Sequence, residues 1–224
     1  MGSERVKVLI VDGHDLFRTG LRNLLEEEGF EVADSSNGPA ALRRVPSFAP
    51  HVVVMDTDLP GMSGVEAARL MFEAAPAASI LMLSAATGHD GVLDAVRAGA
   101  SGYLLKDAPL TEIVAGIRAA AVGDSAFATR VAGAMVDSVR RNAARETDGP
   151  AATDPRLSTR ELQVLGLLTQ GLGNSEIAQR LSVSNNTVKI HIARLLGKLG
   201  VVNRVQAATF ATRHGLFNDA LQAA

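Results

Sequence analysis

Five short apolar runs, at residues 6–11, 32–35, 52–55, 80–83 and 103–105, are separated by stretches of helical periodicity, and this alternation constrains the chain more than any other feature. Runs such as Val52-Val-Val-Met55 are apolar on both sides of the strand, so both faces must be covered. Helical patterns between them, from Leu16 to Glu28 and from Val65 to Ala75, supply the covering layers. The combination predicts a five-stranded, doubly wound parallel α/β sheet. Asn37-Gly38-Pro39 suits a loop with the proline in the first helical turn, and Pro60-Gly61 suits a turn after the third strand. Ligands of such sheets sit at the carboxyl ends of the strands. Asp12, Asp56, Ser84 and Lys106 all fall at or just past those ends.

The pattern changes further along. A helical stretch from Thr129 to Arg145 leads into 146–155, where Gly149, Pro150 and Pro155 stop any helix. From Leu157 onward short helical patterns appear without strands: 158–169, 175–181, 185–199 and 204–214. The expected organisation is a sheet domain at 5–125, a linker helix and flexible linker at 126–156, and an all-α, four-helix domain at 157–217.

Charge separates the two ends. Residues 1–145 hold 14 Lys+Arg against 18 Asp+Glu, net −4, whereas residues 157–224 hold 7 against 3, net +4. A basic back end is what a nucleic-acid partner requires. The chain contains no cysteine, which excludes disulfides, thiolate catalysis and Cys-ligated zinc. The five histidines, His14, His51, His89, His191 and His214, show no metal-ligand spacing, and His14 is read as structural. No apolar run approaches the ~20 residues of a membrane span, and the N-terminus lacks the zones of a signal peptide, so a cytoplasmic protein without membrane contact is expected.

A carboxylate accepts a phosphoryl group only where a metal and a cation neutralise the charge that would repel it. Asp56 has candidates for both: Asp12 to help hold Mg2+, which needs only one or two carboxylates, and Lys106 to pair with the transferred group. Ser84 can hydrogen-bond a phosphoryl oxygen. In the second domain Ser158 stands three residues before Glu161, a capping box that opens a helix. The stretch 171–184 then reads as helix and tight turn before a new helix, the arrangement that projects a helix into a major groove. On that helix Val188, Ile192, Leu195, Leu196 and Leu199 form a buried stripe, leaving Lys189, Arg194 and Lys198 to solvent or phosphate. On the last helix Val205, Ala208 and Ala211 share a spacing that would make a small-residue dimer face.

Val8-Leu-Ile-Val-Asp12, Val54-Met-Asp56-Thr-Asp-Leu-Pro60-Gly-Met-Ser-Gly64, Met82-Leu-Ser84-Ala and Gly99-Ala-Ser-Gly-Tyr103-Leu-Leu-Lys106-Asp give residues 5–120 a clear resemblance to a response-regulator receiver domain. Leu157-Ser-Thr-Arg-Glu161, Asn174-Ser-Glu-Ile-Ala178 and Thr187-Val-Lys-Ile-His191 make 157–217 similar to a LuxR-type helix-turn-helix. The whole chain resembles the NarL/FixJ family. The resemblance implies a two-component, DNA-binding transcription factor, not an enzyme, with a sensor histidine kinase and double-stranded DNA as partners and a homodimer at least on DNA. It implies Asp56 as phosphoacceptor, Ser84 and Tyr103 as a switch pair, Lys106 facing the phosphate, and the backbone carbonyl of Asp58 as a metal ligand beside Asp12 and Asp56. For Tyr103 a half-buried strand aromatic is an equal alternative. It places Asn186, Lys189 and Ile190 near base edges and Thr187 and His191 nearer the DNA backbone, with Arg194 and Lys198 on the same basic helix.

One departure stands out: the family usually has two adjacent acids after the first strand, and this chain has Asp12-Gly13. One metal ligand is missing, so weak Mg2+ binding and slow phosphorylation are expected. Asp15 is read as the cap of the helix starting at Leu16 rather than as a substitute ligand. Two alternatives stay open: a phosphorylation-independent regulator of the same architecture, and a haloacid-dehalogenase-type phosphatase using Asp56-Thr57-Asp58.

Overall fold

The computed structural model describes residues 5–85, 91–127 and 157–216, with the side chain of Asn186 left out. The expected linker helix at 129–145, the loop after it and His89 lie outside the described residues. In chain order the first elements are β1 (Lys7–Val11), α1 (Asp15–Glu27), β2 (Glu31–Ser35), α2 (Gly38–Phe48), β3 (Val52–Asp56), β4 (Asp58–Leu59), β5 (Met62–Ser63) and α3 (Gly64–Ala74). They are followed by β6 (Ser79–Ser84), α4 (Val92–Arg97), β7 (Gly102–Leu105), α5 (Leu110–Ala121) and β8 (Ala126–Phe127). Then come α6 (Thr159–Thr169), α7 (Asn174–Leu181), α8 (Asn185–Leu199) and α9 (Arg204–Arg213). The described chain divides into two compact units, one of 5–85, 91–121 and 125–127, the other of 122–124 and 157–216.

The first unit is built on a parallel sheet of six strands in the order β2-β1-β3-β6-β7-β8. This corrects the count of five: Ala126 and Phe127, assigned to the start of the linker, pair with Gly102 and Tyr103 as an edge strand. Val8–Val11, Val52–Met55 and Ile80–Leu83 are buried, as strands covered on both faces must be. The strand order reverses between β1 and β3, which opens a crevice at the carboxyl ends of those two strands. Asp12 and Asp56 stand at that crevice. Around Pro60-Gly61 the chain forms a small antiparallel pair, β4 with β5, rather than a bare turn, and Gly61 adopts φ +76°. Gly64 follows at once, and a Cβ there would lie 2.1 Å from the Asp56 carbonyl oxygen. Only glycine lets α3 start this close to the backbone that carries Asp56.

The start of α1 differs from the expectation. Asp15 is the first helical residue, His14 is the N-cap, and the His14 side chain makes no cap hydrogen bond. Asp15 instead pairs with Arg18 and is exposed. It is therefore neither the cap nor a ligand facing the pocket.

The second unit has four helices among its described residues. Val164, Leu165, Ile177, Val188, Leu195 and Ala207 form its core. Val122–Asp124 groups with this unit: Asn174 Nδ2 donates to the Val122 carbonyl at 2.8 Å, and Arg204 pairs with Asp124 at 3.1 Å. At the start of α6 the capping box is formed, with the Ser158 N–H donating to the Glu161 carboxylate at 2.7 Å and its hydroxyl at 2.9 Å. The same carboxylate receives Lys198 Nζ at 2.6 Å. Burial alone would raise the Glu161 pKa, but the hydrogen bonds from Lys198 and Ser158 outweigh it and hold it below the ordinary glutamate value.

A depressed acid contributes stability above its unfolded pKa and loses it as pH falls through the folded one. Glu161→Gln is therefore expected to destabilise the second unit at neutral pH by about 1 to 3 kcal/mol, the range for a lost hydrogen bond to a charged group. Urea unfolding followed by circular dichroism should show that gap shrinking as pH falls below about 4.3, the ordinary glutamate value. A gap of constant size across that range would mean that the carboxylate charge contributes nothing.

Candidate functional site

Three charged side chains converge at the carboxyl ends of β1, β3 and β7. Lys106 Nζ lies 2.7 Å from Asp12 Oδ2 and 2.8 Å from Asp56 Oδ2. The acids are 1% and 2% exposed. Buried carboxylates of like charge this close require a cation between them. Burial lowers the Lys106 pKa, yet the hydrogen bonds to Asp12 and Asp56 and their charges win, so the ammonium sits above its ordinary value. The Lys106 ammonium lies over the Phe17 ring, with Nζ 4.8 Å from the centroid. Asp56 Oδ1 accepts the Asp58 N–H at 3.2 Å. Asp12 Oδ1 accepts the His14 N–H at 2.8 Å, while Asp12 Oδ2 is paired with Lys106.

Ser84, at the end of β6, is buried, and its hydroxyl lies 3.3 Å from Thr57 Oγ1. Tyr103 is almost fully buried in β7 rather than half-buried, and a Cβ at Gly91 would lie 3.8 Å from its hydroxyl. An open cleft of about 430 Å³ is lined by Gly13, His14, Thr57, Asp58 and Pro60 among others.

Two features of the pocket were not read from the sequence. The His14 ring, expected to be structural, turns to the acids, with Nδ1 3.3 Å from Asp12 Oδ1 and 3.6 Å from Asp56 Oδ2. The signal available was its position two residues past Asp12. The second feature is Pro60, whose ring packs where a side chain at position 13 would begin, 2.8 Å from an ideal Cβ. An acid at position 13 cannot be added without moving that ring.

In the second unit α7 and α8 meet at a turn in which Ser182 takes φ 54° and Ser184 caps α8, accepting the Thr187 N–H at 3.1 Å. Thr187 also shares a hydroxyl contact of 2.9 Å with Ser184. Val188, Ile192, Leu195 and Leu199 are buried as expected, with Leu196 partly so. Lys189, Ile190 and Arg194 are exposed on α8, Ile190 at 45%, and His191 is half-buried. The expectation for the Asn186 side chain lies outside the described residues. Two expectations are modified. Lys198 stays 43% exposed, but its ammonium also pairs with the buried Glu161 carboxylate. Ala211 is not on a free face: at 1% exposure it belongs to the core with Ala207, leaving Val205 and Ala208 half-buried.

Comparison with known proteins agrees with this arrangement. The pattern of the family described as "Response regulator receiver domain" matches residues 8–118, and that of "Bacterial regulatory proteins, luxR family" matches residues 155–211. Among curated proteins, the DNA-binding transcriptional activator DevR/DosR of Mycobacterium tuberculosis is 37% identical over 209 residues, covering 92% of this chain and 94% of the relative. The transcriptional regulatory protein LiaR of Bacillus subtilis is 34% identical over 215 residues, covering 95% and 100%. Among solved structures, a LuxR-family two-component response regulator from Aurantimonas is 33% identical with a TM-score of 0.57, covering 60% of this chain and 98% of that one. The chain belongs to the NarL/FixJ family of two-component response regulators. It carries the family's receiver domain and its LuxR-type DNA-binding domain.

Proposed function

We propose that this protein is a cytoplasmic, DNA-binding transcription factor whose activity is set by phosphorylation of Asp56. The observation that carries the reading is the buried Asp12, Asp56 and Lys106 cluster at the switch point of the sheet. A sensor histidine kinase is the phosphodonor: an Asp56 carboxylate oxygen bonds to the phosphorus as the bond to the kinase imidazole breaks, and that imidazole departs. Lys106 is positioned to pair with the added charge, and Ser84 with Thr57 offers hydroxyls beside it. Tyr103 is the partner of Ser84 in the switch.

The donor set fits Mg2+. Two buried carboxylates, Asp12 and Asp56, share one crevice, both held there by the Lys106 ammonium. Asp12, Asp56 and the backbone carbonyl of Asp58 would hold the ion, which neutralises charge on the incoming phosphoryl group. With glycine at position 13 the site is short of one acid.

The receiver domain extends to Phe127, the end of its edge strand, and the DNA-binding domain begins at Leu157, with a linker between them. On α8, Lys189 and Ile190 serve the base edges, while Thr187, His191 and Arg194 serve the phosphates. The exposed Ile190 suits a thymine methyl group. Two copies bind paired half-sites as a homodimer, for which Val205 and Ala208 remain the candidate contact. Family membership favours this reading over a phosphatase, and the relatives named above are regulators.

Lys189→Ala is expected to weaken binding to a specific DNA fragment by about 1 to 3 kcal/mol. Affinity measured over a range of salt should fall as salt rises, and with a shallower slope for the variant if Lys189 reaches a phosphate. Equal affinity of the two proteins would take α8 out of the groove.

A further inference from the structure

The position where a second acid is missing lies next to an exposed histidine whose Nδ1 comes within 3.3 Å of Asp12 and 3.6 Å of Asp56. His14 occupies the N-cap of α1, where a side chain ordinarily accepts an N–H of the first helical turn. It makes no such bond. Its backbone φ of −89° and ψ of 105° and its N–H bond to Asp12 Oδ1 fix the residue over the carboxylates.

Asp12, His14 and Asp56 offer one ligand atom each, all within 4.8 Å of one another. Nδ1 stands 3.3 Å from Asp12 Oδ1 and 3.6 Å from Asp56 Oδ2. Ligand atoms about 2.0 to 2.2 Å from one ion are separated by about 3 to 3.5 Å, so the two His14 spacings are close to those of a shared cation. Asp12 is 1% exposed, and its Oδ1, the oxygen nearest the His14 ring, accepts the His14 N–H at 2.8 Å while its Oδ2 pairs with Lys106. The His14 side chain is 70% exposed, which leaves room for water to complete a coordination shell. Pro60 adds a further constraint, because its ring occupies the space that a larger residue at position 13 would need.

We propose that His14 Nδ1 is a ligand in the Asp56 pocket, so that this receiver prefers a borderline divalent ion such as Mn2+, Co2+ or Zn2+ to Mg2+; the proposal rests on reading that pocket as the phosphoacceptor site. The chemistry follows from the donor set. Imidazole suits the later first-row ions, whereas Mg2+ selects oxygen and releases its water reluctantly. Replacing a carboxylate by an imidazole also lowers the negative charge of the site, which disfavours a hard ion held mainly by charge. The weak Mg2+ binding expected from Asp12-Gly13 is then one side of a changed selectivity.

The test uses the full-length protein and two probes, Co2+ alone and Mg2+ alone, with affinity measured by calorimetry and Co2+ ligation by its visible absorption. Co2+ is expected to bind more tightly than Mg2+, and His14→Ala to lower Co2+ affinity by about 10- to 100-fold, the scale of a lost metal-site partner. His14→Asp, which exchanges the nitrogen donor for oxygen, should move the Co2+ to Mg2+ affinity ratio toward Mg2+ and change the Co2+ spectrum. Asp56→Asn should abolish tight binding of both ions. If Co2+ affinity and spectrum are the same in the natural protein and both His14 variants, His14 is only hydrogen-bonded to Asp12 and the proposal is wrong. Labelling by a small phosphodonor at saturating Mg2+ separates the two readings. Asp56-dependent labelling with no effect of His14 on Co2+ overturns the ligand assignment alone. His14-dependent Co2+ binding without any labelling keeps the ligand and removes the phosphoacceptor reading beneath it.

Discussion

Lys106→Met should cost the receiver about 3 to 5 kcal/mol at neutral pH, the range for removing one partner of a buried ion pair. The variant keeps most of the length of the aliphatic stem but removes the ammonium that lies over Phe17 and leaves the Asp12 and Asp56 carboxylates, 1% and 2% exposed, with no cation between them. Two like charges in a crevice cannot both stay ionised cheaply, and the folded state carries the penalty. The sign with pH follows from the raised Lys106 pKa. A raised group contributes its full stabilisation below its unfolded value, about 10.4 for lysine, and loses it as pH rises through the folded one. The natural protein should therefore lose stability in strong alkali where the methionine variant does not. A divalent cation should restore part of the loss in the variant, since it supplies the missing positive charge at the same carboxylates. Thermal unfolding with and without Mg2+ measures both effects. A variant as stable as the natural protein in metal-free buffer would show that the three charges do not form one electrostatic unit.

The sheet was legible because burial on both faces leaves a strong mark: four consecutive apolar residues such as Val52–Met55 admit few other readings. The edge strand Ala126–Phe127 was not, since two residues carry no period and its pairing with Gly102 and Tyr103 is a long-range fact. The pocket divides along the same line. Asp12, Asp56 and Lys106 could be placed because strand ends define where they point. His14 could not, because the direction of its ring depends on which residue caps α1, and the sequence favoured Asp15 for that task.

On α8 the apolar stripe was clear, but the polar faces were not distinguishable by spacing. Lys198 turned to Glu161, 37 residues away in the chain, for a reason that only packing supplies. Ala211 shows the limit for small residues. An alanine on a helix fits a core as readily as a dimer face, and the core claimed it.

The largest functional effect is expected at Asp56. If phosphorylation shifts the protein between two arrangements that differ in DNA affinity, the shift can be no greater than the difference in stability the phosphoryl group imposes on them. A coupling of about 5- to 150-fold is typical of such regulation. Asp56→Asn keeps the size of the side chain and its contact to the Asp58 N–H but cannot form the acyl phosphate, so it should remove the whole response and leave the basal salt dependence intact. The direct measurement is a DNA-binding titration of the natural protein and of Asp56→Asn, each with and without a small phosphodonor, with the labelled fraction recorded in the same samples. The account predicts that affinity changes at least about 5-fold in proportion to labelling for the natural protein, and not at all for Asp56→Asn. Identical binding curves for labelled and unlabelled natural protein would contradict it.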